Sequence, residues 1–318
     1  MTELWIAIVL GVIEGVTEFL PVSSTGHLLL AQHWLGGFAD LSDGFWKRFV
    51  VFIQIGAILA VVAFFRERIM HLLTGKRGTE ASAPPVTIAT AEQSALGGKS
   101  DAELFDAASA SAPAEAHHTH LRDPVRTHPV LLVAIATVPV LVIGFLLHNV
   151  VEKYLETPRF IAAALVVGGV LMIVIEKFRP MPRTEIVEDV TVGQAVFIGF
   201  VQVLAAIFPG TSRSAATIMG GLVAGLSRPA AAEFSFFLAI PSMFAACGFS
   251  LLKMILDGDG LSLQQWLLLI IGTLVSFLVA WVVIAAFMTY IRKYSFVPFA
   301  VYRIILGILV FWLMRPAA

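Results

Sequence analysis

Six long apolar stretches recur along this 318-residue chain, separated by shorter polar segments. They are 16 to 23 residues long, and a helix needs ~20 residues to cross a bilayer. Since only helices satisfy the backbone in lipid at this composition, the pattern predicts an all-α fold with six transmembrane helices. The stretches are 49–65, 129–147, 160–175, 234–252, 266–288 and 296–314.

Two further apolar segments, 4–34 and 192–226, are interrupted near the middle by a proline and small polar residues. Pro21 begins the first interruption and Pro209 begins the second. Proline removes a helical hydrogen bond and serine or threonine caps a new helix, so each segment is predicted to form two helices around a break. A break at membrane depth must be buried in protein or line a cavity, which favours two re-entrant hairpins, although the first arm is long enough to span outright.

The two interrupted segments resemble each other at a fixed offset of 188 residues. Each is followed by three apolar stretches. Because a hairpin returns the chain to its own side and three crossings change the side, the second half is predicted to be an inverted-topology repeat of the first. Such folds place polar sites at broken helices near the midplane. The aligned pairs are Gly11 with Gly199, Glu14 with Gln202, Pro21 with Pro209, Ser24 with Ser212 and Gly37 with Gly225.

These patterns predict one membrane domain that contains a long insertion. Residues 1–73 hold the first hairpin and first span, 129–178 the remaining spans of the first repeat, and 179–318 the second repeat. Residues 74–128 are rich in Ala, Ser, Pro, Thr and Gly without periodicity, which is typical of a flexible extramembrane segment. The histidines of this insertion, which belong either to a solvated linker or to a metal-binding group, are His117, His118 and His120.

The composition supports a membrane protein. Hydrophobic residues make up 58% of the chain and charged residues 14%, against roughly 25% charged in soluble proteins, so apolar surface must face lipid.

The net charge of −1 and the lack of a basic run give no sign of nucleic-acid binding. Cys247 is the only cysteine, so no disulfide forms within the chain. The first residues lack a basic region, and a cleaved signal peptide is not expected.

Lysine and arginine are distributed unevenly between the two predicted sides. Six lie on the side that carries Lys47 and Lys253, and thirteen on the side that carries Arg68 and Arg228. The richer side is expected to be cytoplasmic. Both termini and the entrance of the first hairpin are therefore predicted to face outward.

Two carboxylates lie within the first interrupted segment, where charge in an apolar setting is costly and needs a reason. Glu14 and Glu18 are four residues apart and therefore share a helix face. Two such groups can bind a divalent cation such as Mg²⁺ or Ca²⁺, or one can act as a base or orienting group. The alternative is a structural pair that makes polar contacts in an aqueous crevice.

The first break itself offers a proton carrier and several hydroxyl groups. The imidazole of His27 can exchange a proton near neutral pH. Ser23, Ser24 and Thr25 are either helix caps or a hydroxyl nucleophile beside a base. A reversal of the chain here would bring Ser24 close to both Glu18 and His27.

The second break suits an anion. A glycine in the turn lets backbone N–H groups approach a phosphate, and the helix that begins there adds its positive end. Arg213 can bind two oxygens at once, or pair with Glu14 or Glu18 in the resting site. Arg303, in the last apolar stretch, is expected to be a structural ion-pair or cavity residue rather than a second phosphate ligand. Arg213 is also expected to act in catalysis. The expected substrate-binding residues are Gly210, Thr211, Ser212, Ser214 and Thr217 of the second segment, with Glu14, Ser23 and Thr25 of the first.

Together the two breaks offer an anion clamp and acid–base groups, which is what phosphoryl transfer requires. At these residues the chain resembles the undecaprenyl-diphosphate phosphatases, also called bacitracin-resistance proteins. The resemblance extends over nearly the whole chain except 74–128, which is atypical, and Ala215 replaces a common glycine. The matching segments are 14–27, 209–214 with Thr217, Phe234-Ser235-Phe236, Pro241, and Tyr302-Arg303 with Gly307.

The resemblance implies hydrolysis of undecaprenyl diphosphate to the monophosphate in the bacterial inner membrane, which recycles the lipid carrier of cell-wall synthesis. It implies catalytic roles for Glu18, Ser24 and His27. It also implies that Ser212, Arg213 and Thr217 bind the diphosphate. The site would open to the outer side of the membrane.

Several alternatives remain open from the sequence. Inverted repeats with a midplane site also suit a polyprenyl-phosphate transporter or flippase. A second type of lipid phosphatase uses a histidine downstream of its arginine motif, but no histidine follows Arg213. A purely structural membrane protein would not need the buried charges. Ser24 either attacks phosphorus or positions water, a divalent cation is a candidate cofactor, and a homodimer is a candidate oligomeric state.

Overall fold

The computed structural model describes residues 2–36, 44–74, 127–154, 157–256 and 260–314. The predicted insertion 74–128 and its histidines lie almost entirely outside the described residues, so its character stays a prediction. The described α-helices are α1 (Thr2–Thr17), α2 (Ser24–Leu35), α3 (Gly44–Phe64), α4 (Arg66–Thr74), α5 (Pro129–Tyr154), α6 (Pro158–Phe178), α7 (Val192–Ile207), α8 (Arg213–Val223), α9 (Arg228–Leu256), α10 (Leu263–Ile291) and α11 (Val297–Leu313).

Each of the six apolar stretches forms a helix, and together they confirm an all-α integral membrane protein. In the described part of the chain, five helices are long and apolar enough to cross a bilayer: α3, α5, α6, α9 and α10. The sixth, α11, has 17 residues and falls just short of that length. Large apolar side chains such as Phe145 and Ile270 are exposed on these helices, where lipid can cover them. The layout of six spans with two re-entrant hairpins stays a prediction.

Both interrupted segments form helix, break and helix, and the two breaks have the same local structure. Ser23 and Ser212 have φ of 72° and 68°, and no other non-glycine residue in the described ranges has positive φ. Each caps the following helix, with its hydroxyl accepting a hydrogen bond from Gly26 N at 3.4 Å or from Ala215 N at 3.2 Å. Serine and threonine are preferred caps because they satisfy an otherwise unpaired N–H group.

This similarity corrects the alignment of the two segments. The fixed offset of 188 pairs Ser24 with Ser212, but the backbone pairs Ser23 with Ser212, at an offset of 189. The shift arises between the proline and the cap, because Pro21 precedes Ser23 by two positions whereas Pro209 precedes Ser212 by three. As a result, Ser24 and Arg213 occupy equivalent positions, as the first residues of α2 and α8.

The two hairpins open at opposite ends of α10. At the start of α10, Gln264 Nε2 donates to Glu3 Oε2 at the start of α1, over 2.7 Å. The second hairpin is closed at its own entrance by Gln194 Nε2, which donates to the Ala224 carbonyl over 3.0 Å. That entrance follows Glu188, which pairs with Arg68. Arg68 also pairs with Glu233, which interacts electrostatically with Arg292 at the end of α10. The arrangement is compatible with inverted repeats, whose exact division stays a prediction.

Close packing of α1 on α10 fixes the position of the first hairpin. A Cβ added at Gly11 would lie 2.6 Å from the Gly272 carbonyl oxygen, and one added at Gly15 would lie 2.7 Å from that of Ser276. Only glycine permits this approach of two backbones. The contact fixes the position of α1, which carries the buried Glu14 and ends one residue before Glu18.

Candidate active site

The first break brings a serine hydroxyl onto a buried carboxylate. Ser24 Oγ donates a hydrogen bond of 2.6 Å to Glu18 Oε2. The left-handed conformation of Ser23 reverses the chain, so the first residue of α2 faces back toward the end of α1. Glu18 is 9% exposed and Ser24 is half-buried. The predicted approach of Ser24 to Glu18 is therefore present in the structure.

The second break contributes an arginine to the same point. Arg213 Nη2 lies 3.5 Å from Glu18 Oε1, and Arg213 Nη1 donates to the Ser235 carbonyl over 3.2 Å. The guanidinium also lies over the ring of Phe19, 5.5 Å from its centroid. Of the two glutamates considered as partners of Arg213, Glu18 is the one within ion-pair distance in the described residues.

Several buried polar atoms at this point have no hydrogen-bond partner among the described residues. They are Nε and Nη2 of Arg213 and both carboxylate oxygens of Glu14. Glu14 is fully buried and interacts electrostatically with Glu18 and Arg213. Because buried charged groups are ordinarily paired, such a cluster indicates a place where a ligand binds. Free donors suit phosphate oxygens, and free carboxylate oxygens suit a cation.

Glu14 and Glu18 supply only part of the ligand set of a divalent cation. No group of three or more His, Cys, Asp or Glu ligands occurs within the described residues. Mg²⁺ commonly binds through one or two carboxylates and completes its shell with water and substrate phosphates. Glu14 and Glu18 are suited to that mode, and the prediction of a metal at this pair remains a prediction.

The imidazole of His27 contacts the Ser23 backbone and Tyr302 rather than the hydroxyl of Ser24. Its Nδ1 lies 2.8 Å from the Ser23 carbonyl oxygen, and its Nε2 lies 2.7 Å from the hydroxyl of Tyr302. The rings of His27 and Tyr302 are stacked, with centroids 5.5 Å apart. The break thus brings Glu18 and Ser24 together and places His27 one turn further along α2, with both ring nitrogens occupied.

Hydroxyl groups of the second break hold the site in shape. Ser214 Oγ donates to the Leu20 carbonyl over 2.9 Å, which links the two hairpins directly, and lies 3.0 Å from Ser212 Oγ. Ser212 also caps α8, and Thr211 N donates to the Phe208 carbonyl over 3.1 Å. In the structure these predicted substrate-binding groups therefore bond to other groups of the protein. Their role in binding substrate stays a prediction.

Thr217 stabilises the turn of α8 that carries Arg213. It is fully buried, and its hydroxyl donates to the Arg213 carbonyl over 2.9 Å and lies 2.5 Å from Ser235 Oγ. Ser235 is the residue whose carbonyl accepts from Arg213. In contrast, the side chain of Thr25 is exposed at the start of α2.

Arg303 ties the two breaks together. Its Nη2 donates to the carbonyls of Thr211 at 2.8 Å and Gly210 at 3.2 Å, and its Nη1 approaches the Pro21 carbonyl at 3.5 Å. The side chain is fully buried. The expectation of a structural residue agrees with these contacts. Its partners among the described residues are carbonyls and the sulfur of Met172 rather than a carboxylate, and the unpaired C=O groups of the breaks need such donors.

Three residues at the site were not assigned roles from the sequence: Phe19, Ser235 and Tyr302. A weak signal existed for two of them, since Ser235 is a small polar residue between two phenylalanines and Tyr302 precedes a buried arginine. Their contacts join helices that are far apart in the sequence, so no local pattern reveals them.

Comparison with known proteins gives consistent matches. Residues 7–309 match the family model described as bacitracin resistance protein BacA. The chain is 40% identical to an undecaprenyl-diphosphatase of Koribacter versatilis, over 99% of this chain and 100% of the relative. It is 42% identical to an undecaprenyl-diphosphatase of Sorangium cellulosum, over 96% and 85%. It is 37% identical to one of Caldanaerobacter subterraneus, over 97% and 95%.

Proposed function

This chain belongs to the bacitracin resistance protein BacA family, and we propose that it hydrolyses undecaprenyl diphosphate to undecaprenyl phosphate and inorganic phosphate. The reaction makes the protein a phosphoric anhydride hydrolase, and its product is the lipid carrier of peptidoglycan synthesis. The names of its relatives favour hydrolysis over the alternative of lipid transport. Recycling of this carrier accounts for bacitracin resistance as a consequence of activity.

One observation carries the proposal. The 2.6 Å hydrogen bond from Ser24 to Glu18 and the 3.5 Å approach of Arg213 to Glu18 bring a hydroxyl, a carboxylate and an anion-binding group to one buried point. Phosphoryl transfer depends on such positioned charge rather than on covalent chemistry by many groups. Because this point lies among apolar helices, its substrate is expected to be a membrane lipid.

The reaction can be assigned to these groups step by step. The terminal phosphate binds Nε and Nη2 of Arg213, of which Nη2 lies 3.5 Å from Glu18 Oε1 in the resting site, and the N-terminus of α8. Ser24 Oγ attacks the terminal phosphorus while Glu18 accepts the hydroxyl proton. The bond to the bridging oxygen breaks, and its electron pair leaves with undecaprenyl phosphate, which needs little protonation near neutral pH. Arg213 stabilises the charge on the transferring group.

A second step returns the site to its starting state. Water attacks the phosphoserine and gives a proton to His27, and the bond between Ser24 Oγ and phosphorus breaks while Glu18 returns to Ser24 Oγ the proton that it took in the first step. Inorganic phosphate leaves, and His27 passes its proton to solvent. In the rival scheme water attacks the diphosphate directly and Ser24 only donates a hydrogen bond. The short contact of Ser24 with Glu18 supports the first scheme, because a base at hydrogen-bond distance activates a hydroxyl nucleophile.

A divalent cation, if the protein uses one, would be held by Glu14 and Glu18 and would neutralise charge on the phosphate oxygens. The free oxygens of Glu14 support this assignment. We further propose a location in the bacterial inner membrane with the site open to the outer side, on the strength of the lysine and arginine distribution. A homodimer remains the candidate oligomeric state.

Phosphate release by the purified protein tests the proposed function. The protein is reconstituted in liposomes and supplied with undecaprenyl diphosphate, and both inorganic phosphate and the lipid product are measured. Equal amounts of inorganic phosphate and undecaprenyl phosphate are expected. Movement of the intact lipid between leaflets without phosphate release would instead favour a transporter.

A further inference from the structure

The contact between His27 and Tyr302 has no part in the reaction assigned above. It joins α2 to α11 through a 2.7 Å approach of Nε2 to the phenol oxygen. The two rings also stack, with an interplanar angle of 10°. A hydrogen bond and a ring stack between the same two residues restrict both the position and the rotation of the imidazole.

The other nitrogen of the ring determines which tautomer is present. Nδ1 lies 2.8 Å from the carbonyl oxygen of Ser23, and a carbonyl only accepts hydrogen bonds. Nδ1 therefore carries a hydrogen, and Nε2 of the neutral ring has a lone pair that accepts from the Tyr302 hydroxyl. When Nε2 gains a proton, the same contact reverses and the phenol oxygen accepts. A hydroxyl can do both without movement of either side chain.

The backbone around Tyr302 is held firmly by its neighbour. Arg303 is fully buried and donates to the carbonyls of Thr211 and Pro21, one from each break. These bonds fix the register of α11 against both hairpins. The next residue back, Tyr302, is thereby placed beside His27, with 46% of its surface exposed at the margin of the site.

We infer that Tyr302 is a positioning residue for the reaction, because its hydroxyl holds the His27 ring and gives Nε2 a partner in either protonation state. The inference rests on the proposed function, since it concerns the same site. The proposed positioning role requires the hydroxyl group of Tyr302, whereas a role in packing alone would require only its ring.

Conservative variants separate the hydroxyl from the ring. Tyr302→Phe keeps the stack and removes the hydrogen bond, whereas Tyr302→Leu removes both. Tyr294→Phe is the matched control, because Tyr294 is exposed and its ring contacts Tyr290 instead. We expect Tyr302→Phe to lower kcat by roughly threefold to tenfold with KM unchanged, as loss of one hydrogen bond would. In a His27→Ala background the same change should have no further effect on kcat.

A second measurement does not depend on activity. Diethyl pyrocarbonate modifies free imidazole nitrogens, and mass spectrometry compares His27 with the exposed His33 on the same helix. We expect Tyr302→Phe to increase the rate at His27 several-fold relative to His33, because Nε2 loses its partner. An unchanged ratio, or an equal fall in kcat with and without His27, would overturn the inference. Absence of phosphate release by the wild type would instead overturn the proposed function, and the modification ratio would still decide the role of Tyr302.

Discussion

The guanidinium of Arg213 lies 3.5 Å from the carboxylate of Glu18, and this ion pair joins the breaks of two separate hairpins. One hairpin supplies the hydroxyl and the carboxylate, and the other supplies the anion-binding group. Neither hairpin alone holds all three. The activity therefore depends on the packing that brings the two breaks together, which Ser214 and Arg303 reinforce by bonding to carbonyls of the first break.

Replacing Arg213 by lysine should abolish most activity although the charge is kept. An ammonium group cannot reproduce the planar fork that binds two phosphate oxygens, and it cannot reach the Ser235 carbonyl in the same geometry. We expect kcat to fall by about 10²–10³, measured as phosphate release. Arg66→Lys is the control, because Arg66 is exposed on α4 and should behave like the wild type. Wild-type kinetics for Arg213→Lys would show that the fork is not used.

The two serines of the first break should differ sharply. Ser24→Ala removes the group bonded to Glu18, and its kcat should fall at least as far as that of His27→Ala. Ser23→Ala removes a helix cap, so it should mainly reduce stability, by ~1 kcal/mol. Ser23→Gly should be milder still, because glycine tolerates the positive φ at this position.

The same serine allows the nucleophile to be identified. An acid quench during turnover should trap phosphoserine at Ser24 if the hydroxyl attacks phosphorus. A chiral thiophosphate substrate tests the alternative of direct attack by water. Inversion at phosphorus in a single step would exclude the covalent intermediate and leave direct attack by water.

The clamp formed by Arg303 predicts an effect at a glycine that is distant in sequence. A Cβ at Gly168 would lie 3.1 Å from Cζ of Arg303 and would push the guanidinium off the break carbonyls. Gly168→Ala should therefore lower both the thermal midpoint and kcat. Gly248→Ala is the matched control, because nothing lies within 4 Å of its added Cβ. A Gly168→Ala protein as stable and active as the control would show that the clamp is dispensable.

Much of the fold follows from local patterns in the sequence. The six apolar stretches form helices, and the prolines with small polar residues mark both breaks. Glu18, Ser24 and Arg213 could be predicted to meet because each lies next to a break, and broken helices in an apolar chain are expected to line a common site. Site residues that lie next to a break can thus be predicted from the sequence.

Contacts between distant helices could not be predicted in this way. His27 was expected near Glu18 and Ser24, but its ring bonds to Tyr302, 275 residues away in the chain. The fixed offset of 188 is one residue out at the caps, because the cap follows the proline by two positions in the first break and by three in the second. Side-chain direction and turn length depend on packing and backbone conformation, which a spacing rule does not contain.

The free carboxylate of Glu14 leads to a prediction about metal. If Glu14 and Glu18 hold a divalent cation, a chelator should reduce phosphate release and added Mg²⁺ or Ca²⁺ should restore it. Glu14→Gln should then raise the cation concentration that gives half-maximal activity, since one charged ligand is lost. Full activity of the wild type in excess chelator would contradict a metal at this pair.

The central claim is that Glu18 and its two partners form a hydrolytic site, and Glu18→Gln tests it most directly. The amide keeps the size of the side chain but loses the base and the ion pair with Arg213. Phosphate release from undecaprenyl diphosphate is measured for wild type, Glu18→Gln and the control Glu67→Gln, whose side chain is 83% exposed. We predict that wild type and control release phosphate at the same rate, while Glu18→Gln is slower by at least about 10². Release by a folded Glu18→Gln protein at the wild-type rate would contradict the account.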